Sequence, residues 1–213
     1  MGINEYFDKV YCINLDERVD RWELAQKEFE RMGITNVERF SAIKHKNGAI
    51  GCRESHLNII SKAKELGLSN VLIFEDDVKT LEDNVNTLDE SISQLKSMDW
   101  DLFYLGATVD PNVGVVTPVT DNLVKTNFAY TTHAYAANSN IFDTILSQAP
   151  NHGIIDVFYN RVIVPRGRSF ITNPMTCIQQ EGYSDIEGGM ADYMWMHKFF
   201  NKALEKGIRI KND

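Results

Sequence analysis

Along the first half of the chain, short apolar runs alternate with longer stretches in which apolar residues recur every three or four positions. Val10-Tyr11-Cys12-Ile13-Asn14-Leu15 is short, apolar and β-rich, which predicts a buried strand. Residues 16–32 are charged, but Val19, Trp22, Leu24, Ala25, Phe29 and Met32 fall at helical spacing, and Gly33 stands where a helix would stop. Residues 37–43 predict a second strand. Residues 55–66 predict a second helix, with Leu57, Ile59, Ile60, Ala63 and Leu66 apolar and Gly67 behind it. The run Asn70-Val-Leu-Ile-Phe is a buried strand that ends abruptly in Glu75-Asp76-Asp77. A charged helix over about 81–95 and a strand over 101–106 follow.

Strand and helix in strict alternation predict an α/β domain with parallel strands. The pattern then weakens. Residues 113–120, 123–128 and 131–137 predict short strands and 141–146 a short helix, while 150–187 read as irregular. Residues 190–206 predict a last amphipathic helix stopped by Gly207. No repeat or linker divides the chain, so 213 residues are expected to form one domain around one core.

Charge narrows the function. With 22 Lys+Arg against 30 Asp+Glu the net charge is 22 − 30 = −8, which argues against a general nucleic-acid binder. No apolar run approaches the ~20 residues of a membrane span, and the first residues lack the apolar segment of a secretory signal. Cys12, Cys52 and Cys177 form no zinc spacing and no disulfide framework. The expectation is a cytoplasmic protein, with peripheral attachment at the inner membrane face as a variant.

Candidate chemistry gathers at five places. Three carboxylates at a strand end repel one another unless a cation or hydrogen-bond donors compensate, and hard oxygen ligands suit a divalent cation. The same residues would also serve as a solubilising strand end. Alternation along the strand would turn Glu75 and Asp77 to one side and Asp76 to the other. Asn14-Leu15-Asp16-Glu17-Arg18-Val19-Asp20-Arg21 ends the first strand and opens a helix. Arg18 or Arg21 could fork onto a phosphate there, or the segment could be an N-cap with solvated charges. Gly48 to His56 predicts a tight glycine loop, with Ser55 or His56 opening the helix. Asp156, between apolar neighbours, is either a helix cap or a partly buried base. Tyr183-Ser184-Asp185 is either a turn or a ligand clamp.

In combination, VYCINLDERVDR (10–21), GAIGCRESHL (48–57), VLIFEDDV (71–78) and QQEGYSDI (179–186) resemble glycosyltransferase family 25 in order and spacing, over roughly residues 8–187. That family includes bacterial lipopolysaccharide β-galactosyltransferases and collagen galactosyltransferases. Where relatives commonly have a shorter acidic-glycine turn, this chain has Lys44-His45-Lys46-Asn47.

The resemblance implies a single GT-A-like (Rossmann-like) α/β domain with a mixed sheet. A nucleotide-sugar donor would bind the first half (about 1–107) and an acceptor the second (about 108–187), with the C-terminal helix beyond. It implies transfer of a hexose, galactose or glucose, from a UDP-sugar to a hydroxyl of a glycan, lipid-linked or protein acceptor, with inversion and with Mn²⁺ or Mg²⁺. Carried over by position, Asn14, Leu15, Arg18, Arg21 and Asp76 would bind the nucleotide sugar and Asp77 the metal. Glu75 and Asp185 would face the metal or acceptor side, and Asp156 would be the general base. Two rivals remain. One is a catalytically inactive binding or adhesion module on the same fold. The other is a metal-dependent nucleotidyltransferase, which would need Gly-rich or basic phosphate-holding loops in the first half.

Overall fold

The chain is described by a computed structural model that covers residues 2–184 and 189–212. Helix α1 (Ile3–Tyr6) leads into β1 (Val10–Asn14), followed by α2 (Val19–Arg31), β2 (Val37–Ser41), α3 (Gly48–Glu65) and β3 (Asn70–Glu75). A short β4 (Val78–Thr80), α4 (Leu88–Leu95) and β5 (Leu102–Tyr104) come next, then β6 (Val116–Pro118), β7 (Leu123–Thr126) and β8 (Ala134–Asn138). The chain continues through α5 (Phe142–Gln148), α6 (Ile155–Phe158), β9 (Ser169–Thr172) and β10 (Cys177–Gln179). The last elements are β11 (Gly182–Ser184), β12 (Gly189–Ala191) and α7 (Trp195–Asn212).

Eight strands form one sheet in the order β2-β1-β3-β8-β5-β9-β7-β6. Strand β1 runs parallel to both β2 and β3, as the strand–helix alternation predicts. Strand β8 enters antiparallel between β3 and β5, so the whole sheet is mixed. Both faces of the central strands are covered. Tyr11 and Ile13 of β1 join Ile73, Tyr135 and the apolar face of α3 on one side. Val10 and Cys12 join Leu72, Phe74 and residues of α2 and α4 on the other. This explains why β1 and β3 read as continuous apolar runs rather than as alternating ones. Each fully buried Ile, Leu or Phe contributes ~1.5–3 kcal/mol, so these strands are the most firmly held part of the molecule. Among the described residues, no helix is long and apolar enough to cross a membrane.

Several elements differ from the sequence-based expectation, among them the last helix, which starts at Trp195 and not at residue 190, with Gly189–Ala191 forming β12, and α4, which starts at Leu88. The stretch 48–56 is not a loop: α3 begins at Gly48, and Asn47 caps it by accepting from the Ala49 and Ile50 amides. Gly51 is needed for proximity rather than for turning, because a Cβ there would collide with the Ile43 carbonyl oxygen. Gly207 does not stop the last helix. It lies inside α7, where a Cβ would strike the Val116 carbonyl, so its lack of a side chain lets the helix press against β6. Finally, residues 150–187 are not mainly irregular, since they supply β9, which pairs with both β5 and β7. That stretch is tied by charge as well as by buried apolar residues such as Phe158, Ile163 and Ile171. Fully buried Asp101 accepts from Arg168 at 2.7 Å and pairs with Arg166 at 2.9 Å, a pattern with no sequence rhythm.

Candidate active site

The register that sets Ile13 opposite Glu75 brings the carboxyl ends of β1 and β3 side by side. In open α/β sheets this edge is where ligands bind. A cleft of about 580 Å³ opens there, within the range of small-molecule sites. It is lined by Asn14, Leu15 and Arg21 from the β1–α2 region, Glu75, Asp76 and Asp77 from the end of β3, and Asp156 from α6.

The strand ends at Glu75, so Asp76 and Asp77 lie in a turn and strand alternation no longer governs them. All three carboxylates therefore line the same cleft, contrary to the predicted split. Each has a different partner. Asp76 is held by Arg21 Nη1 at 2.9 Å and by Asn14 Nδ2 at 2.6 Å. Asn14 is itself fixed, with its Oδ1 accepting from Arg39 Nε at 2.8 Å and its Nδ2 also reaching the Arg18 carbonyl. Glu75 accepts from Thr132 Oγ1 at 2.6 Å and meets His56 Nε2 at 3.3 Å. Asp77 Oδ2 accepts from Gln179 Nε2 at 3.1 Å, while its Oδ1 is buried with no hydrogen-bond partner among the described residues.

These differences separate the three acids electrostatically. Burial pushes Glu75 up, but the His56 hydrogen bond and charge, with Thr132, outweigh it and hold the carboxyl below its usual range. Burial raises Asp76, opposed by Arg21 and Asn14. Asp77 takes the remaining strain: burial first, then the charges of Glu75 and Asp76, push it up to about 7. A carboxyl oxygen that is buried, unpartnered and crowded by like charge is a fitting donor for a hard cation. Asp77 would hold the Mn²⁺ or Mg²⁺ that the resemblance implies, with its remaining ligands left to substrate oxygens and water.

The opposite segments complete the cleft. Asp156 accepts the amides of Thr131 at 3.2 Å and Val157 at 2.7 Å. Burial still raises its pKa, and those amides only partly offset it. Thr131 sits at φ 71°, a left-handed conformation that a β-branched residue adopts at a cost of ~1–3 kcal/mol, and such strain concentrates at functional sites. The basic run Lys44-His45-Lys46 lines the rim, with Lys44 paired to Glu17. Buried His133 is neutral over most of the pH range, because burial lowers its pKa to about 4.

Thus Asn14, Leu15, Arg21, Glu75, Asp76, Asp77 and Asp156 all line one cleft. Arg18 does not reach the cleft lining. It forks onto Asp20 at 3.1 and 3.0 Å. Asp185 lies outside the described residues. His56 proves to be fully buried between Tyr135 and Glu75. Sequence reading missed Arg39, Thr132, Gln179 and Tyr193. Only the Lys44–Lys46 run carried a visible signal, and Gln179 lay in a motif read for its neighbours.

Comparison with known proteins agrees with the motifs. A family model described as "Glycosyltransferase family 25 (LPS biosynthesis protein)" matches residues 46–144. The human protein "Inactive glycosyltransferase 25 family member 3" is 29% identical over 127 residues, covering 56% of this chain and 21% of that protein. Zebrafish (Danio rerio) "Procollagen galactosyltransferase 1" is 27% identical over 162 residues, covering 61% of this chain and 26% of that protein. The chain thus spans about a fifth to a quarter of the length of these curated relatives. Among solved structures, A197 from STIV superposes with a TM-score of 0.50 at 10% identity, covering 85% of this chain and 92% of that one, a likeness of fold alone.

Proposed function

Starting from the assignment to glycosyltransferase family 25 that these matches support, we propose that the chain is a GT-A-like, metal-assisted hexosyltransferase. It would move a hexose, galactose or glucose, from a UDP-sugar to a hydroxyl of a glycan, lipid-linked or protein acceptor, with inversion. The observation that carries this reading is the division of labour among the cleft carboxylates. Glu75 is held ionised by His56 and Thr132, Asp76 is tied to Arg21 and Asn14, and Asp77 keeps a buried oxygen without a hydrogen-bond partner among the described residues.

Displacement at the sugar's anomeric carbon has three requirements. The leaving diphosphate must be neutralised, the acceptor hydroxyl must lose its proton, and the two substrates must be aligned. A bound Mn²⁺ or Mg²⁺ supplies the Lewis acidity for the first. Asp77 would hold that cation through the oxygen that has no hydrogen-bond partner among the described residues. Arg21, whose Nη1 holds Asp76, lines the cleft and would meet the nucleotide's phosphate oxygens there. Asn14 and Leu15 shape the nucleotide pocket from the end of β1. Asp156, in the second half of the chain, accepts the acceptor's proton. Its raised pKa brings its basicity closer to the working pH than that of an exposed carboxylate.

The test is a hydrolysis and binding screen of UDP-galactose, UDP-glucose, UDP-N-acetylglucosamine and GDP-sugars with and without Mn²⁺. Cation-dependent UDP binding with turnover of one UDP-hexose is the expected result. Several relatives are named inactive, so UDP binding without turnover, even with glycan acceptors added, would favour the inactive binding module. Release of pyrophosphate from a nucleoside triphosphate would instead favour a nucleotidyltransferase.

A further inference from the structure

On the cleft floor, two residues of α3 and one of β3 point three different donor atoms at one spot. The Cys52 sulfur, a ring nitrogen of His56 and a Glu75 carboxylate oxygen all lie within 4.8 Å of one another. Cys52 and His56 are one helical turn apart, so they share a face of α3. Tetrahedral zinc, with bonds of ~2.0–2.3 Å, needs ligand atoms about 3.3–3.8 Å apart. The three donors can therefore converge by side-chain adjustment, without moving the backbone.

We propose that Cys52, His56 and Glu75 form a binding site for a thiophilic divalent cation of the Zn²⁺ class, separate from the hard-cation site at Asp77. Thiolate and imidazole favour zinc over magnesium or manganese, whereas Asp77 offers oxygen alone. The surroundings are those of a metal-binding histidine. His56 is fully buried, and its Nδ1 lies 3.0 Å from the Tyr135 hydroxyl, which in turn lies 3.0 Å from the Tyr159 hydroxyl. In the metal-free protein Nε2 donates to Glu75; on metal binding Nε2 would give up that proton and offer its lone pair, while Nδ1–H donates to Tyr135, the second-shell arrangement typical of metal-bound histidine. Nε2 is also the nitrogen that faces Glu75, at 3.3 Å. Both described hydrogen bonds to Glu75 arrive at Oε1. Three protein ligands leave a fourth position, and Cys52 and Glu75 both line the cleft, so that position faces substrate or water. On binding, metal–sulfur and metal–nitrogen bonds would form, and the Cys52 thiol proton and the His56 Nε2 proton would pass to solvent. This inference does not rest on the transferase reading.

Co²⁺ alone is the probe. The wild-type protein should take up one equivalent and develop the near-ultraviolet thiolate-to-cobalt charge-transfer band. Cys52→Ser should lose the band and weaken Zn²⁺ binding, measured against a chromophoric chelator, by more than the ~10–100-fold that loss of an outer-shell partner costs. Asp77→Asn should keep the band, which separates this site from the proposed hard-cation site. Should Cys52→Ser fold poorly, the wild-type chain still decides. Cys52 is partly exposed while Cys12 and Cys177 are buried, so Zn²⁺, but not Mg²⁺, should slow alkylation of Cys52 as read by peptide mass spectrometry. Absence of the band in the wild type, its persistence in Cys52→Ser, or equal alkylation rates with and without Zn²⁺ would overturn the site.

Discussion

Replacing Asp77 by asparagine removes one of three adjacent charges while keeping nearly the same shape and an oxygen able to accept from Gln179. The folded protein holds Asp77 at about 7 against an ordinary 3.8. The folded state therefore binds the Asp77 proton more tightly than the unfolded chain does. The stability this contributes is complete below the unfolded value and is lost as pH rises toward and through the folded one. The gap corresponds to roughly 4 kcal/mol as an upper bound. Solvent in the cleft and relaxation of Glu75 and Asp76 reduce it. Even a quarter, about 1 kcal/mol, moves the melting temperature of a chain this size by ~2–4 °C. Asp77→Asn cannot ionise, so its melting temperature should gain on the wild type between pH 4 and pH 7 and hold that advantage above pH 7. Differential scanning calorimetry at half-unit pH intervals, without divalent cation, reads this directly. Adding Mn²⁺ and UDP at pH 8 should raise the wild-type melting temperature and leave Asp77→Asn nearly unmoved. Parallel pH profiles for the two proteins would refute the electrostatic account of the carboxylate cluster.

Arg21→Lys keeps the charge but loses the fork, and should raise the donor KM in steady-state kinetics; an unchanged KM would confine Arg21 to holding Asp76. Asp156→Asn should lower kcat by ~10²–10⁴ while calorimetric UDP affinity stays within about twofold, because a general base acts in the transition state. Gly51→Ala should destabilise the fold by ~1–3 kcal/mol in urea unfolding, since the added methyl meets the Ile43 carbonyl oxygen and the backbone must shift.

What could be read in advance follows from which forces leave a rhythm in the sequence. Strands β1 and β3 bury continuous apolar runs and helix α2 buries Ala25 and Phe29, and their positions were legible to within a few residues. The order of the sheet was not. Strand β8 inserts between β3 and β5 through long-range pairing that local periodicity does not encode. Strand β9 is secured by Asp101, Arg166 and Arg168, whose partners lie more than sixty positions apart in sequence. Helix α3 was placed seven residues late because glycines at its start read as a loop. The structure uses Gly51 to bring the helix against the Ile43 carbonyl. At the site, the acids declared themselves as an improbable charged end to an apolar strand. Their separate roles depend on His56, Thr132, Arg39 and Gln179, which come from four other segments; His56 and Gln179 lay in motifs visible in the sequence, whereas Thr132 and Arg39 carry no local signal.

The charge balance of the cleft explains why an anionic protein could still require a cation for an anionic ligand. Among its lining residues Arg21, Lys44 and Lys46 face Glu17, Glu75, Asp76, Asp77 and Asp156, a balance of 3 − 5 = −2 with all of them ionised. Two of the three cations are already engaged, Arg21 with Asp76 and Lys44 with Glu17. A diphosphate entering this cleft would meet net repulsion in a partly desolvated setting, where Coulomb terms are several times larger than in water. Protonation of Asp77 removes one negative charge, whereas a divalent cation supplies two positive charges and ligands for phosphate oxygens. Proton and cation thus compete for the same buried oxygen, and the proton is the weaker solution once pH exceeds about 7. The raised pKa of Asp77 and its proposed role in metal binding are then two consequences of one arrangement: three carboxylates at a strand end, of which Glu75 and Asp76 meet His56 and Arg21, while Asp77 has the neutral Gln179 amide on one oxygen and no hydrogen-bond partner on the other among the described residues.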